Sequence, residues 1–151
     1  MRPDNLTGEA HFRALERLYG AAPINQLFQS SLHIPSNGTS RITFTVTDTV
    51  FHAGGAAHGS AYFKMLDDAA FYAANTHCEE HFLLTTNFNV YFTKPVRSGE
   101  VIAEGKWVSG KRRVFVAESR LLDAEGDEIG RGSGTFMRSR IQLATLEGYS
   151  A

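Results

Sequence analysis

Apolar residues recur at helical spacing in two stretches of the chain. Between Glu9 and Tyr19, the positions Phe12, Leu15, Leu18 and Tyr19 are apolar with charged residues between them, which predicts a short amphipathic helix lying against the surface of the fold. A second short apolar patch follows from Ile24 to Phe28. From His58 to Asn75 the residues Phe63, Leu66, Ala70, Phe71 and Ala74 keep the helical period, with no proline and no glycine after Gly59. This predicts one long, mostly buried helix.

The rest of the chain has the two-residue period of strands. Ile42, Phe44 and Val46 alternate with threonines over Arg41 to Thr47, and Ser31 to Ile34 is the predicted hairpin partner across Pro35-Ser36-Asn37-Gly38. After the long helix come four more predicted strands: Leu83 to Thr93, Val101 to Val108, Arg113 to Leu122 and Glu128 to Arg138. Turn chemistry separates them at Pro95, at Ser109-Gly110 and at Ala124-Glu125-Gly126. Short links between successive strands favour an antiparallel sheet, and the single apolar helix has to be covered by it. The expected class is α+β, an antiparallel sheet wrapped around one long helix, with a short N-terminal helical extension. A length of 151 residues gives one domain, 1–151.

Gly130, Gly132 and Gly134 share one face of the last strand, which predicts a close approach of the helix there. They do not form a nucleotide loop, because the spacing differs from the phosphate-binding fingerprint and no helix follows. A formal charge of -1, from 15 basic and 16 acidic residues, argues against a nucleic-acid partner. The lone Cys78 cannot pair within the chain and suits a reducing compartment. Met1 to Thr7 contains no apolar leader segment, and no stretch is long enough to span a membrane, so the expected location is the cytoplasm without membrane attachment.

Two adjacent acids in the long helix differ in their surroundings. Asp67 has Phe63, Ala70 and Phe71 within about one turn and Ala74 two turns on, with Lys64 the only charge around it, whereas Asp68 has Lys64 a turn below it and Tyr72 a turn above. Asp68 reads as solvated or paired. A carboxylate on an apolar face costs several kcal/mol unless it is hydrogen-bonded or used, so Asp67 is the candidate for chemistry. Before the helix, Phe51 to Ser60 is a loop of small residues, and the first N–H groups of the helix, near Gly59 and Ser60, are suited to a developing oxyanion.

His58-Gly59-Ser60, then Met65-Leu66-Asp67 and Ala73-Ala74-Asn75, resemble the His-Gly-Gly motif and following aspartate of hotdog-fold acyl-CoA thioesterases of the phenylacetate-degradation type. Asn89-Val90-Tyr91-Phe92-Thr93-Lys94-Pro95 is similar to that family's strand ending in proline, and the likeness covers about Phe51 to Met137. The resemblance implies a hotdog fold, assembled as a homodimer or a dimer of dimers, a homotetramer, with sites shared between subunits. It implies Asp67 as general base or nucleophile, the Gly59 amide, within the motif begun by His58, as oxyanion donor, and a hydroxyl at Thr85 supplied from the other subunit. Alternation places Thr85 on one strand face with Asn87, Asn89 and Tyr91, a polar row consistent with a site. The family's second glycine is Ser60 here, whose N–H is retained, and its asparagine six residues before the histidine is His52, a titrating group.

The segment His77-Cys78-Glu79-Glu80-His81 formally matches an inverted zinc-protease pattern, but it lies past the expected helix end and lacks a third ligand, so no metal site is expected. Lys111, Arg112 and Arg113 follow a turn and are candidates for the phosphates of a CoA-type ligand, with an ordinary basic hairpin tip as the competing reading. Taken together, these features point to hydrolysis of an acyl-CoA or related acyl thioester, without metal or redox cofactor. The rival reading is a non-catalytic acyl-CoA-binding or assembly module on the same fold, and a hotdog dehydratase is weaker still, since no acid-histidine pair stands at the helix.

Overall fold

The computed structural model describes residues 5–151, so part of the N-terminal segment read above for a leader, positions 1–4, lies outside the described residues. Two helices open the chain, α1 (Gly8–Ala21) and α2 (Pro23–Phe28), followed by the strands β1 (Ser31–His33) and β2 (Thr39–Val46). The long helix α3 (Gly59–Asn75) precedes β3 (His81–Phe92), β4 (Gly99–Ser109), β5 (Val114–Leu122) and β6 (Glu128–Gln142). The six strands form one antiparallel sheet in the order β1-β2-β4-β5-β6-β3. The sheet wraps α3, which packs against β2 through β6. Among the described residues, no helix is long and apolar enough to cross a membrane.

The Asn37-Gly38 turn forms as expected, with Gly38 at φ +82° and the Thr39 N–H donating to the Ser36 carbonyl oxygen at 3.1 Å. Helix α3 begins with an unusual cap, since the His58 side chain takes the place of the usual hydroxyl or carboxylate: its Nδ1 accepts from the Ser60 N–H at 2.9 Å. Two buried hydroxyls of the sheet fix the middle of the helix. Ser40 donates to the Ala69 carbonyl oxygen, and Ser119 donates to the Leu66 carbonyl oxygen at 2.7 Å.

Two packing expectations need correction. Among the glycines of the sheet, the one that lies tightest against the helix is Gly105 of β4, where a Cβ would stand 2.0 Å from the Ala69 carbonyl oxygen. Of the glycine stripe on β6, Gly130 meets Leu66 and Tyr62, but Gly132 and Gly134 leave space for the Phe88 ring of the neighbouring strand, 2.6 Å from where their Cβ atoms would be. Helix α1 is also more than a surface element. Ala14, Leu15 and Tyr19 are buried, as is His11, whose Nε2 donates to the Asn75 carbonyl oxygen at 2.9 Å while the Tyr149 hydroxyl donates to Nδ1 at 2.7 Å. The apolar patch after it folds as α2, with Pro23 at its first turn.

Candidate functional site: two clefts along one helix

Asp67 and Asp68 point about 100° apart around α3 and meet different partners. Asp67 faces the β3 side, where the Thr85 hydroxyl donates to its Oδ1 at 2.9 Å. Burial pushes its carboxyl up to about 6, with the Thr85 hydrogen bond and the Lys64 charge working against that rise and the charge of Asp68 adding to it. Asp68 faces α1 and α2. Its Oδ2 pairs with the Lys64 ammonium and accepts from the Tyr19 hydroxyl at 3.1 Å, and Tyr19 in turn bonds Ser30 Oγ at 2.6 Å. Burial raises the Asp68 carboxyl, opposed first by Lys64. The pair is therefore enclosed, not solvated: the Lys64 and Asp68 side chains keep 12% and 20% of their accessible surface. Because Lys64 is committed to Asp68 and to Asn25 Oδ1, 2.6 Å away, Asp67 has no cation of its own among the described residues.

Both acids line a cleft of about 520 Å³ between α2, α3 and the start of β3. Its sides are aromatic, made by Phe28, Phe63, Phe71, Tyr72 and Phe82. Periodicity marked Phe63 and Phe71 as helix core; their role as cleft wall depends on where α2 and β3 pass, and no local signal announces it.

Gly59 stands at the N-terminal end of the same helix. Among the described residues its N–H has no acceptor, whereas the next N–H is taken by the His58 ring. A side chain here would meet the Phe92 ring at 3.0 Å, so the backbone is left bare toward a second cleft, about 450 Å³, lined by His52, Gly59, Tyr62, Phe92 and the Thr93-Lys94-Pro95 turn. His52 thus accompanies Gly59 and not Asp67, and its Nδ1 accepts from the Gly54 N–H at 2.9 Å. Ser60 Oγ lies 2.9 Å from His58 Nδ1, so Ser60 and His58 form a local cap beside Gly59. Gly59 and Asp67 are eight residues apart, which at 1.5 Å per residue separates them by about 12 Å along the helix.

The expected polar row on β3 is broken. An irregularity between Thr85 and Asn87 shifts the register against β6: Thr85 stands opposite buried Phe136 and faces the helix, while Asn87 stands opposite Thr135. Asn87, Asn89 and Tyr91 therefore lie on the far face of the sheet, where Asn89 Nδ2 donates to Asn87 Oδ1 at 3.1 Å. A second difference concerns origin, since the Thr85 hydroxyl reaches Asp67 within one chain. Lys111, Arg112 and Arg113 sit exposed at the β4–β5 turn and line neither cleft, with Lys111 Nζ over the Trp107 ring at 5.4 Å. His77 stacks on Trp107 at 4.0 Å between ring centres and His81 begins β3, so the two histidines enter no three-ligand cluster among the described residues.

Residues 54–129, from the loop before α3 to the start of β6, match the family model of the thioesterase superfamily. That segment contains Gly59, Asp67 and Thr85 and leaves out α1, α2 and His52. A protein of Saccharolobus solfataricus provisionally named as an esterase is 26% identical over 100 residues, 66% of this chain and 67% of the relative. Among solved structures, the Escherichia coli PaaI protein from the phenylacetic acid degradation operon superposes with a TM-score of 0.81, covering 91% of this chain and 99% of that one at 14% identity. A Haemophilus influenzae thioesterase gives a TM-score of 0.73 at 18% identity, covering 82% and 86% of the two chains. At these identities the structural likeness establishes the hotdog fold, and the family match establishes the enzyme class. The chain belongs to the thioesterase superfamily, as a hydrolase of thioesters on a PaaI-like hotdog fold.

Proposed function

We propose that the enzyme hydrolyses an acyl-CoA or closely related acyl thioester, using Asp67 of one subunit and the Gly59 N–H of a partner subunit. The observation that carries this reading is a carboxylate held at 2.9 Å by a single hydroxyl, in an aromatic cleft, with its carboxyl raised to about 6. Such a group changes protonation near neutral pH, which suits a general base. Thr85 occupies one carboxylate oxygen, and the other takes a proton from water as the water oxygen attacks the thioester carbonyl. The tetrahedral oxyanion then needs a donor. When it collapses, the C–S bond breaks and the proton on Asp67 passes to the departing thiolate. Direct attack by Asp67 to form a mixed anhydride is the other route open to the same residue; its raised proton affinity favours the base.

The spacing along α3 supports a shared site. With about 12 Å between them, Asp67 and Gly59 of one chain cannot both contact a single carbonyl group. Strand β3 is an edge strand twelve residues long, with Leu84, Tyr91 and Phe92 exposed by 48%, 70% and 55%, and pairing of two such edges would cover them. The proposed assembly is a homodimer or a dimer of dimers. In it, His58, Ser60 and His52 border the oxyanion side of each site, and the Lys111-Arg112-Arg113 hairpin remains the candidate for CoA phosphates. No metal or redox cofactor is required by the proposed chemistry.

Release of free thiol from a series of acyl-CoA thioesters tests the reading. Turnover that depends on Asp67 is expected. Tight acyl-CoA binding with no turnover would instead favour the non-catalytic binding module, and hydrolysis of oxygen esters in preference to thioesters would displace CoA as the leaving group.

A further inference from the structure

The cleft that holds Asp67 is bounded on one side by a part of the chain that precedes the residues matching the family model. Ala22, Ile24, Asn25 and Phe28 line it, whereas the family match begins at residue 54. Going round α3 at 100° per residue, Asp67 lies on the β3 side, bonded to Thr85, and Lys64 and Asp68 follow at about 60° and about 100°. They face α2, where Lys64 Nζ donates to Asn25 Oδ1 at 2.6 Å. Helix α2 therefore stands across the cleft from β3, on the far side of Asp67.

This six-residue helix is fixed in place. Asn25 is buried and joins three elements, since its Nδ2 donates to the Tyr19 carbonyl oxygen of α1 at 2.8 Å while its Oδ1 holds Lys64 of α3. Phe28 packs edge-on against Phe44 of β2, with ring centres 6.0 Å apart, and its ring lies 5.3 Å from the Lys64 ammonium. Ile24, half exposed, projects from the same helix into the cleft.

We propose that α2 is the stop that limits acyl length, with Ile24 and Phe28 as specificity-determining residues that select compact acyl groups over long fatty chains. The inference rests on Asp67 as the reacting carboxylate. An acyl group whose carbonyl sits at Asp67 and which runs away from β3 passes the rings of Phe71 and Tyr72 and then meets α2. A longer chain would press on Ile24 and Phe28 and lay methylene groups against the Lys64–Asp68 pair, taking water from charges without offering hydrogen bonds in return. Asp67 and Thr85 lie within residues 54–129 and the stop lies before them, so length selection can change without touching the reacting groups.

The test compares kcat/KM for decanoyl-CoA and butanoyl-CoA in the wild-type enzyme, Ile24→Ala and Ile24→Trp, with circular dichroism to confirm folding. The decanoyl-to-butanoyl ratio is expected to rise at least tenfold in Ile24→Ala and to fall in Ile24→Trp. An unchanged ratio in both folded variants overturns the proposal. If the wild-type enzyme turns over neither substrate, the reading of Asp67 is what fails. The stop is then judged by calorimetric affinities of S-butyl- and S-decyl-CoA, where the same shift in ratio is expected and its absence overturns the proposal. Asn25→Ala, which frees α2 while leaving Ile24 and Phe28 in the chain, should relax selection in the same direction.

Discussion

The Thr85 hydroxyl donates to Asp67 Oδ1 at 2.9 Å within one chain, and this bond couples strand β3 to the acid at the centre of α3. It stabilises the ionised carboxylate against the burial that raises its proton affinity. Thr85→Val should remove the donor and keep the shape. The acidic limb of the kcat/KM profile, expected near pH 6, should move upward, so that activity at pH 6 falls more than activity at pH 8. Thr85→Ser should restore the wild-type profile. A profile unmoved by the valine substitution would separate Thr85 from the reacting group.

Asp67→Asn should lower kcat/KM by roughly 10²- to 10⁴-fold, the range for loss of a general base. Stability in urea should change little or rise, because a partly buried carboxylate, with Lys64 beside it paired to Asp68, has been replaced by a neutral isostere.

Asp68→Asn should behave in the opposite way. An exposed pair with Lys64 would be worth at most about 1 kcal/mol, but this pair is enclosed and shares Tyr19 and Asn25, so its loss leaves the Lys64 charge partly buried. The expected cost is about 2 kcal/mol in urea denaturation, below the range for a fully buried pair, with kcat/KM reduced less than tenfold. A larger catalytic loss in Asp68→Asn than in Asp67→Asn would reverse the assignment of the two acids.

Asp67 also sets a direction for stability against pH. Its carboxyl is about 6 in the folded protein and near 3.8 in the unfolded chain, so between those values the folded state holds the proton more tightly. Its contribution is fully present below about pH 4 and is lost as pH rises through about 6. The difference in unfolding free energy between wild type and Asp67→Asn, measured from pH 4 to pH 7, should therefore shift in favour of the variant as pH rises. A constant difference would contradict the raised carboxyl.

Gly59→Pro removes the proposed oxyanion donor. Proline is accepted at the first position of a helix, and His58, at φ -64° and ψ 146°, already has the extended backbone that a following proline requires, while the Phe92 ring has to give by a few tenths of an ångström to the added Cβ. Activity should fall at least 10²-fold with the helix retained. Mixing this variant with Asp67→Asn after joint refolding should recover activity, up to about a quarter of wild type, because a mixed dimer contains one site free of both substitutions. No recovery in a confirmed mixed dimer would place both residues' functions within single chains.

Much of this architecture follows from the sequence for local reasons. The period of Phe63, Leu66, Ala70 and Phe71 fixes α3, and the alternation of Ile42, Phe44 and Val46 fixes β2, because each pattern buries one face only in its own geometry. The unlike surroundings of Asp67 and Asp68 were legible too, since neighbours three and four residues away on a helix are neighbours in space. The motif around Gly59 and Asp67 pointed to the family, which the match over residues 54–129 establishes.

Other features depended on contacts between segments distant in the chain. Strict alternation placed Thr85 beside Asn87, but a one-residue irregularity on β3 turned Thr85 toward the helix and Asn87 away, and such a bulge depends on the pairing with β6. The glycine stripe looked like a bed for the helix, yet Phe88 from the adjacent strand fills the space at Gly132 and Gly134, and the glycine tightest against the helix is Gly105. Asp68 could be solvated or paired until α1 and α2 brought Tyr19 and Asn25 over Lys64. The sequence by itself determined the long helix and the main strands and singled out Asp67 as the candidate carboxylate, because those follow from spacing within one segment. Only the tertiary structure decided which face of β3 meets Asp67, how α2 closes the cleft and how far Gly59 stands from the acid, because each depends on where separate segments pack.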